Sequence, residues 1–365
     1  MRFKRLIVKQ VRNLADLDVQ LNPGLNHFFG SNGAGKTAVL ESIHLLCRGR
    51  SFRSPLLRDV ITQGEDSLLV RAQWFDEFLG DRSVGIRRSL SAGTEVRLDN
   101  QKVSKISDIA RLTPLQTLLP DVAELVFGGP KLRRSWLDWG MFHVKPDYFP
   151  VLRNYLRVLK QRNAVLRSPN ASPEMLAPWD SELSASAGEV TQQRHEYLEK
   201  LNTHLEATIA ALIPELKVTY DYQQGWPPGQ TLEKLLGQRG SGEVKYRVTQ
   251  WGPHRADLRF RVAGRDATKV LSRGQGKLLA TSMKVAQVAL LNAEQSRASI
   301  FLIDDVGAEL DLEHSGRFFR LLKEQGSQVI STAVAPMDRD CGFPGSEVDM
   351  FHVEHGTVTK QNSDL

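Results

Sequence analysis

The stretch GSNGAGKTAVLESIHLL, Gly30 to Leu46, decides the fold. Gly30, Gly35, Lys36 and Thr37 fill the pattern G-x-x-x-x-G-K-[ST], with Ser31, Asn32, Gly33 and Ala34 between them. In such a loop backbone N–H groups wrap phosphates, the lysine reaches the outer phosphates and the hydroxyl ligates Mg²⁺. Just before it, LNHFFG (Leu25 to Gly30) reads as a short buried strand. Just after it, Ala38, Val39, Leu40, Ile43, Leu45 and Leu46 give an apolar helical face. Strand, loop and helix follow in order, which puts the phosphates at a helix N-terminus, where orphan amides and the dipole favour anions. The pattern implies Mg²⁺-dependent binding of a nucleoside triphosphate. Transporters, kinases, GTPases and DNA-repair ATPases all share this loop, so other residues must separate them.

The bulk numbers narrow the field. A chain of 365 residues suits two domains with ample core. The formal charge of +6 and pI of about 9.3 lean toward a polyanionic partner. Only Cys47 and Cys341 occur, in no metal-ligand spacing, so a disulfide scaffold or zinc site is not supported and a reducing interior is expected. The N-terminus, MRFKRLIVKQVRN, has too short an apolar run for a signal peptide, and nowhere do about 18 apolar residues run together. The expectation is a soluble, cytoplasmic protein. A separate ATPase subunit of a membrane transporter remains open at this point.

Along the chain, residues 5–8 (RLIV) and 17–21 (LDVQL) read as strands, with Asn22-Pro23-Gly24 as the turn before the loop strand. CRGRSFRSPLLRD then gathers Arg48, Arg50, Arg53 and Arg58. SLLVRAQWF, SVGIRRSL and TEVRLDNQKV look like successive antiparallel strands, the last two joined by a Ser-Ala-Gly turn. From about Leu118 the apolar spacing becomes helical; Asn170 to Pro178 reads as a loop. Leu183, Ala187, Val190, Tyr197, Leu198, Leu201, Leu205, Ile209 and Leu212 then form a helical stripe with too few heptads for a free coiled-coil arm. LKVTYDY is strand-like, and GQRGSGE reads as a mobile connection. The order implies an α/β nucleotide domain over residues 1–115 and 243–365, with a helical lobe over 116–242 inserted between its parts.

ASIFLIDDVGAELD, Ala298 to Asp311, supplies the acidic half of the site. Ile300 to Ile303 are the continuous apolar run of a buried parallel strand, and Asp304-Asp305 stand at its end, where open α/β sheets place ligand-binding groups. Asp304 is expected to hold Mg²⁺, and Asp305 to position or deprotonate the attacking water. Upstream, Leu271-Ser272-Arg273-Gly274-Gln275 opens a helix with a serine hydroxyl and glycine amides, a second phosphate-binding device.

That segment resembles the L-S-G-G-Q signature of ABC-type ATPases, with Arg273 replacing the first glycine of the Gly-Gly pair. The resemblance implies an ABC-type P-loop NTPase head with an antiparallel β subdomain and a helical second lobe. It also implies a homodimer with ATP sandwiched between protomers, in which Ser272, Gly274 and Gln275 of one protomer reach the partner's nucleotide. Ser272, Arg273 and Asp311 would then lie at the dimer interface. Gln116, in TPLQTLLP, matches the glutamine loop that touches Mg²⁺ and water, and Ala308-Glu309-Leu310-Asp311 matches the loop that contacts the partner. The glutamate usual after the magnesium aspartate is here Asp305, and the usual switch histidine gives way to Ser331-Thr332-Ala333. Slow hydrolysis, the behaviour of a switch, is expected, with Asp305, Lys36 and Gln116 as catalytic groups.

Within that superfamily the chain resembles the RecF family of bacterial recombination mediators over nearly its whole length. The matching stretches include GRSFRS (Gly49 to Ser54), GGPKLRRSWLDWG (Gly128 to Gly140), LKQRNAVLR (Leu159 to Arg167), GPHRADL (Gly252 to Leu258) and LSRGQGK (Leu271 to Lys277). The resemblance implies an ATP-dependent dimer that binds duplex DNA at gaps, acts with RecO and RecR to load RecA, and shows weak, DNA-stimulated ATP hydrolysis. Arg48, Arg50, Arg53, Lys131, Arg133 and Arg134 are candidate phosphate contacts, although Arg133 and Arg134 equally suit structural ion pairs. Arg12 and Asn13 match positions where related heads touch the nucleotide. His254 and Arg255 suit a nucleotide contact, a dimer contact or a structural role. Two rivals stay in view: a transporter subunit, and a scaffold whose nucleotide site is vestigial. A GTPase would need an N-K-x-D motif, which is missing.

Overall fold

The computed structural model describes residues 1–238, 241–309, 312–337 and 341–361. They form two compact units, Met1–Val122 with Leu291–Leu365, and Ala123–Leu290.

The first unit is built from two six-stranded sheets. One is antiparallel, in the order β2-β1-β4-β5-β6-β7, from β1 (Arg2–Val11), β2 (Leu14–Gln20), β4 (Ser67–Asp76), β5 (Gly80–Ser89), β6 (Gly93–Leu98) and β7 (Gln101–Lys102). The other runs β15-β14-β3-β13-β12-β8, from β3 (Leu25–Phe29), β8 (Leu115–Leu118), β12 (Ile300–Ile303), β13 (Gln328–Ala333), β14 (Val348–Glu354) and β15 (Thr357–Lys360). All its pairings are parallel except that of β14 with β15.

Sequence period sets the burial. In β4 alternate residues are buried, so one face meets the core and the other faces water. Every residue of β12 is buried, as both faces of a central parallel strand require. The helix Lys36–Arg48 packs against β1, β4 and β5 of one sheet and β13 of the other. Nine of its residues are buried, from Ala38 to Cys47, which is why its apolar stripe widens to nearly the whole circumference.

The second unit holds the helices Pro130–Val144, Tyr148–Arg167 and Pro173–Leu212, most of the helix Arg273–Gln295, and a small antiparallel sheet of β9 (Val218–Gln223), β10 (Asp257–Val262) and β11 (Arg265–Asp266). The apolar stripe Leu183 to Leu212 is buried at every named position.

Two local expectations differ from what is found. Pro173 to Pro178 are helical: Ser172 caps the helix by accepting from Met175 N at 3.4 Å, and Pro173 takes the first position, where its missing N–H is no loss. Residues 243–290 belong with the second unit, not with the nucleotide domain, because β10 pairs along its length with β9. Residues 239 and 240 of GQRGSGE, and Leu310 and Asp311, lie outside the described residues.

Candidate nucleotide site and signature segment

The parallel registers bring the carboxyl ends of β3, β13, β12 and β8 to one edge, with Phe29 beside Ala333 and Ile303 beside Ser331 and Leu118. The glycine loop leaves β3 at that edge. Its bends need residues without a Cβ: Gly30, Gly33 and Gly35 have φ of 151°, 80° and 119°. A Cβ on Gly30 would lie 2.2 Å from the Val353 carbonyl oxygen.

Two hairpin turns clasp the loop. Asn13, between β1 and β2, donates from Nδ2 to the Gly33 carbonyl at 3.1 Å; Gly356, between β14 and β15, donates its N–H to the Ala34 carbonyl at 2.8 Å. Asn13 thus lies against the glycine loop. Arg12 has a different occupation. Its Nε and Nη2 donate to the two carboxylate oxygens of buried Glu41, at 2.9 and 2.8 Å, and Nη1 donates to the Asp59 carbonyl. The Glu41 bond raises the Arg12 pKa. The guanidinium thus pins the loop helix to its neighbours.

Gly35 caps the loop helix without a side-chain bond; the Ala38 N–H donates to the Gly35 carbonyl at 3.0 Å, which leaves the Lys36 and Thr37 amides to an external acceptor. Lys36 bends back to donate from Nζ to the Gly30 and Ser31 carbonyls, each at 2.8 Å. Desolvation lowers its pKa, opposed by the charges of Asp305 and Asp304.

The acidic pair meets the loop through hydroxyls. Thr37 Oγ1 donates to Asp304 Oδ1 at 3.0 Å, and Thr332 Oγ1 donates to the same oxygen at 2.7 Å. Thr332 also accepts the Asp305 N–H at 2.9 Å. Asp305 has a left-handed backbone, φ 56°, unusual for a residue with a Cβ, and this bond helps to hold it there. One strand earlier, His27 is buried and neutral: its Nε2–H donates to the Ala335 carbonyl at 3.1 Å and Nδ1 accepts from Ser331 at 2.9 Å. Burial lowers its pKa. Gln116 lies within β8 opposite Phe301, 4% exposed, so it is a buried strand residue and not part of an open loop.

In the second unit, Ser272 and Gln275 form a capping box at the start of the helix Arg273–Gln295. The Gln275 N–H donates to Ser272 Oγ at 3.2 Å, and the Ser272 N–H donates to Gln275 Oε1 at 3.0 Å. A Cβ on Gly274 would meet Ser272 Oγ at an ordinary 3.9 Å, whereas a Cβ on Gly276 would lie 2.2 Å from the Phe127 ring. Arg273 is 77% exposed, pairs with Glu124 at 3.1 Å and rests over Phe127. Asp311 falls outside the described residues.

The candidate DNA contacts divide. Arg133, 7% exposed, makes a two-pronged pair with Asp257 at 2.7 and 3.2 Å and donates to the Gly128 carbonyl at 2.7 Å. Arg134 donates to the Ala256 carbonyl at 2.7 Å, and Arg48 to the Leu115 carbonyl at 2.8 Å, with burial pushing the Arg48 pKa down to about 10. These three are engaged internally because each stem is covered and only a carbonyl or carboxylate compensates its charge. Arg50, Arg53 and Lys131 are exposed. His254 is structural: its Nδ1 accepts from the Tyr155 hydroxyl and its Nε2–H donates to the Thr249 carbonyl, with burial driving its pKa down to about 4. Arg255 is exposed.

Sequence reasoning put Thr332 within the segment that replaces the switch histidine but gave it no role, although a hydroxyl at the end of an otherwise apolar buried strand, beside the strand of an acidic pair, is a usable signal. It also passed over Glu41, a carboxylate on a helix with almost no exposed face.

With this geometry in hand, similarity to known proteins is extensive. The RecF/RecN/SMC N-terminal domain family matches residues 2–354. The DNA replication and repair protein RecF of Shewanella denitrificans is 38% identical over 98% of this chain and 99% of its own. That of Pseudomonas paraeruginosa is also 38% identical, over 99% of this chain and 98% of its own. Among solved structures, the recombination mediator protein RecF with ATP, of the RecFOR pathway, superposes with a TM-score of 0.85 at 25% identity, covering 99% of this chain and 98% of the other. An SMC head bound to the winged-helix domain of ScpA superposes at 0.60 with 14% identity, covering 100% and 98%, a likeness of fold. None of these supports a transporter subunit.

Proposed function

Since the chain belongs to the RecF family of DNA replication and repair proteins, within the wider RecF/RecN/SMC N-terminal domain family, we propose that it is an ATP-operated switch that holds duplex DNA during recombinational repair. The observation that carries this is the chain of contacts from Thr37 through Asp304 and Thr332 to Asp305, at the mouth of a loop shaped for phosphates. Thr37 and Asp304 offer two hard oxygens 3.0 Å apart. Among the described residues no three His, Cys, Asp or Glu side chains gather as a metal site. That donor set suits Mg²⁺, which takes one or two protein oxygens and completes its shell with phosphates and water. Bound with ATP, Mg²⁺ neutralises charge between the outer phosphates.

The chain's own groups do the rest. Lys36 exchanges the Gly30 and Ser31 carbonyls for phosphate oxygens, the free amides at the start of the loop helix receive the inner phosphates, and Asp305 takes the proton of the attacking water. Asp305 is short and held from its backbone, and Thr332 carries no charge, so turnover is slow. Ser272, Gly274, Gln275 and Arg273 of a second copy close the site, which makes ATP the bond between protomers. Hydrolysis then opens the dimer and releases DNA. RecR and RecO are the partners that couple this cycle to RecA loading at gaps, in the cytoplasm.

Duplex capture measured with ATP-Mg²⁺ and with ADP-Mg²⁺, for the natural chain and for Lys36→Ala, tests the proposal. Capture that requires ATP and is lost in Lys36→Ala is expected. Equal capture in all four conditions would mean a scaffold, with DNA binding independent of the nucleotide site.

A further inference from the structure

The outward face of the antiparallel sheet carries an open groove of about 520 Å³, whose lining includes Lys9, Arg71, Gly85, Arg87, Glu95 and Arg97. Strand register arranges these residues in two adjacent rows. Lys9, Leu69, Arg87 and Glu95 stand side by side across β1, β4, β5 and β6; Ile7, Arg71, Gly85 and Arg97 stand two residues along. Positions two apart on a strand share a face, so both rows look into the groove.

Most charges on this face are matched. Lys9 pairs with Asp16 at 3.4 Å, Arg5 with Asp18 at 2.5 Å, and Arg97 with Glu95 at 2.7 Å. Arg71 and Arg87 are exposed and, among the described residues, make no close ion pair or hydrogen bond, although the charge of Arg87 is felt by Glu95 opposite it and by Asp66. They sit diagonally on neighbouring strands, about 7–8 Å apart at Cα. Gly85 opens the floor beside them. A Cβ there would lie 3.2 Å from Arg71 Cγ, so the Arg71 stem lies across the glycine.

We propose that this groove seats the sugar-phosphate backbone of duplex DNA, with Arg71 and Arg87 as sequence-independent phosphate contacts. The proposal rests on the DNA-binding role given above and names the face that carries it. Charge selects the ligand class, because after Lys9 pairs with Asp16 and Arg97 with Glu95 the groove lining keeps the positive charge of Arg71 and Arg87. Guanidinium forks match phosphate oxygens in pairs. Among the described residues none that lines the groove is aromatic, and unstacked bases of a single strand would need such a platform.

The test is equilibrium binding of a mixed-sequence duplex, with ATP-Mg²⁺, over a range of salt, for the natural chain, Arg71→Ala/Arg87→Ala, and Arg320→Ala/Lys323→Ala as a control of equal charge loss on the exposed side of the helix Leu312–Glu324. The groove variant is expected to bind about tenfold or more weakly, with a log–log salt slope smaller by about 2, while its ATP affinity and melting temperature stay those of the natural chain. The control is expected to keep both affinity and slope. A groove variant that binds as tightly and as steeply as the natural chain overturns the groove alone, as does an equal loss in the control. A natural chain that captures no duplex with ATP overturns the DNA-binding role and the groove together.

Discussion

The Thr332 hydroxyl has one proton to give, and it gives it to Asp304 while accepting the Asp305 N–H. It is 1% exposed, so no water takes its place easily. Thr332→Val keeps the shape but leaves a carboxylate short of a donor and an amide without an acceptor, a loss of about 1–3 kcal/mol. If Asp305 is the base, that loss falls on its placement: single-turnover ATP hydrolysis is expected to slow about tenfold or more, with ATP affinity nearly unchanged and Thr332→Ser restoring most of the rate. Equal rates for threonine and valine would remove Thr332 from the site's working parts. At this scale the sequence was legible where a motif fixes a residue by spacing, as for Lys36, Thr37 and Asp304. It was less so for arginines. Whether Arg12, Arg48 or Arg133 faces a ligand or an internal acceptor depends on partners such as Glu41, the Leu115 carbonyl and Asp257, distant in sequence.

Among the elements, Arg133 joins two of the family's stretches. It stands on the helix Pro130–Val144 and pairs with Asp257, which opens β10, while donating to the turn at Gly128. Removing one partner of such a buried pair leaves a bare charge, so Arg133→Ala is expected to destabilise the second unit by about 3–5 kcal/mol in urea denaturation. A cost below about 1 kcal/mol would show that water reaches Asp257 freely. The strand, loop and helix around Gly30 were legible because glycine spacing and apolar period agree. The capping box at Ser272 was partly legible, since S-x-x-Q before an apolar run marks a helix start. The start at Pro173 was not, because proline and serine there serve a helix N-terminus as well as a loop. Nor was the placement of residues 243–290, which rests on the pairing of β9 with β10 across an intervening helical stretch.

For the whole molecule, three histidines, His27 buried and His44 and His254 half-buried, set an acid limit. His44 and His254 are held down to about 4, and His27 is lowered, in each case by burial first. Unfolded, they take protons below about 6.5, so their folded forms lose stability as pH falls below that value toward 4. The loss is of order 1–2 kcal/mol for each of His44 and His254 by pH 5. The melting temperature is expected to drop between pH 7 and pH 5, and less so in His44→Gln/His254→Gln; an unchanged slope in that variant would place the acid sensitivity elsewhere. Fold class and family were legible at this scale because several unlinked motifs occur in one order. The face proposed for DNA was not, since it depends on which arginines strand register gathers on one exposed side of a sheet. The central claim is that ATP joins two copies, and the most direct measurement is solution mass by light scattering with ATP-Mg²⁺, with ADP-Mg²⁺ and without nucleotide, beside Ser272→Arg. A dimer that forms only with ATP and is lost in Ser272→Arg, with ATP still bound, is predicted. A monomer in every condition, with ATP bound, would contradict the account, because the Ser272 segment would then close no partner's site.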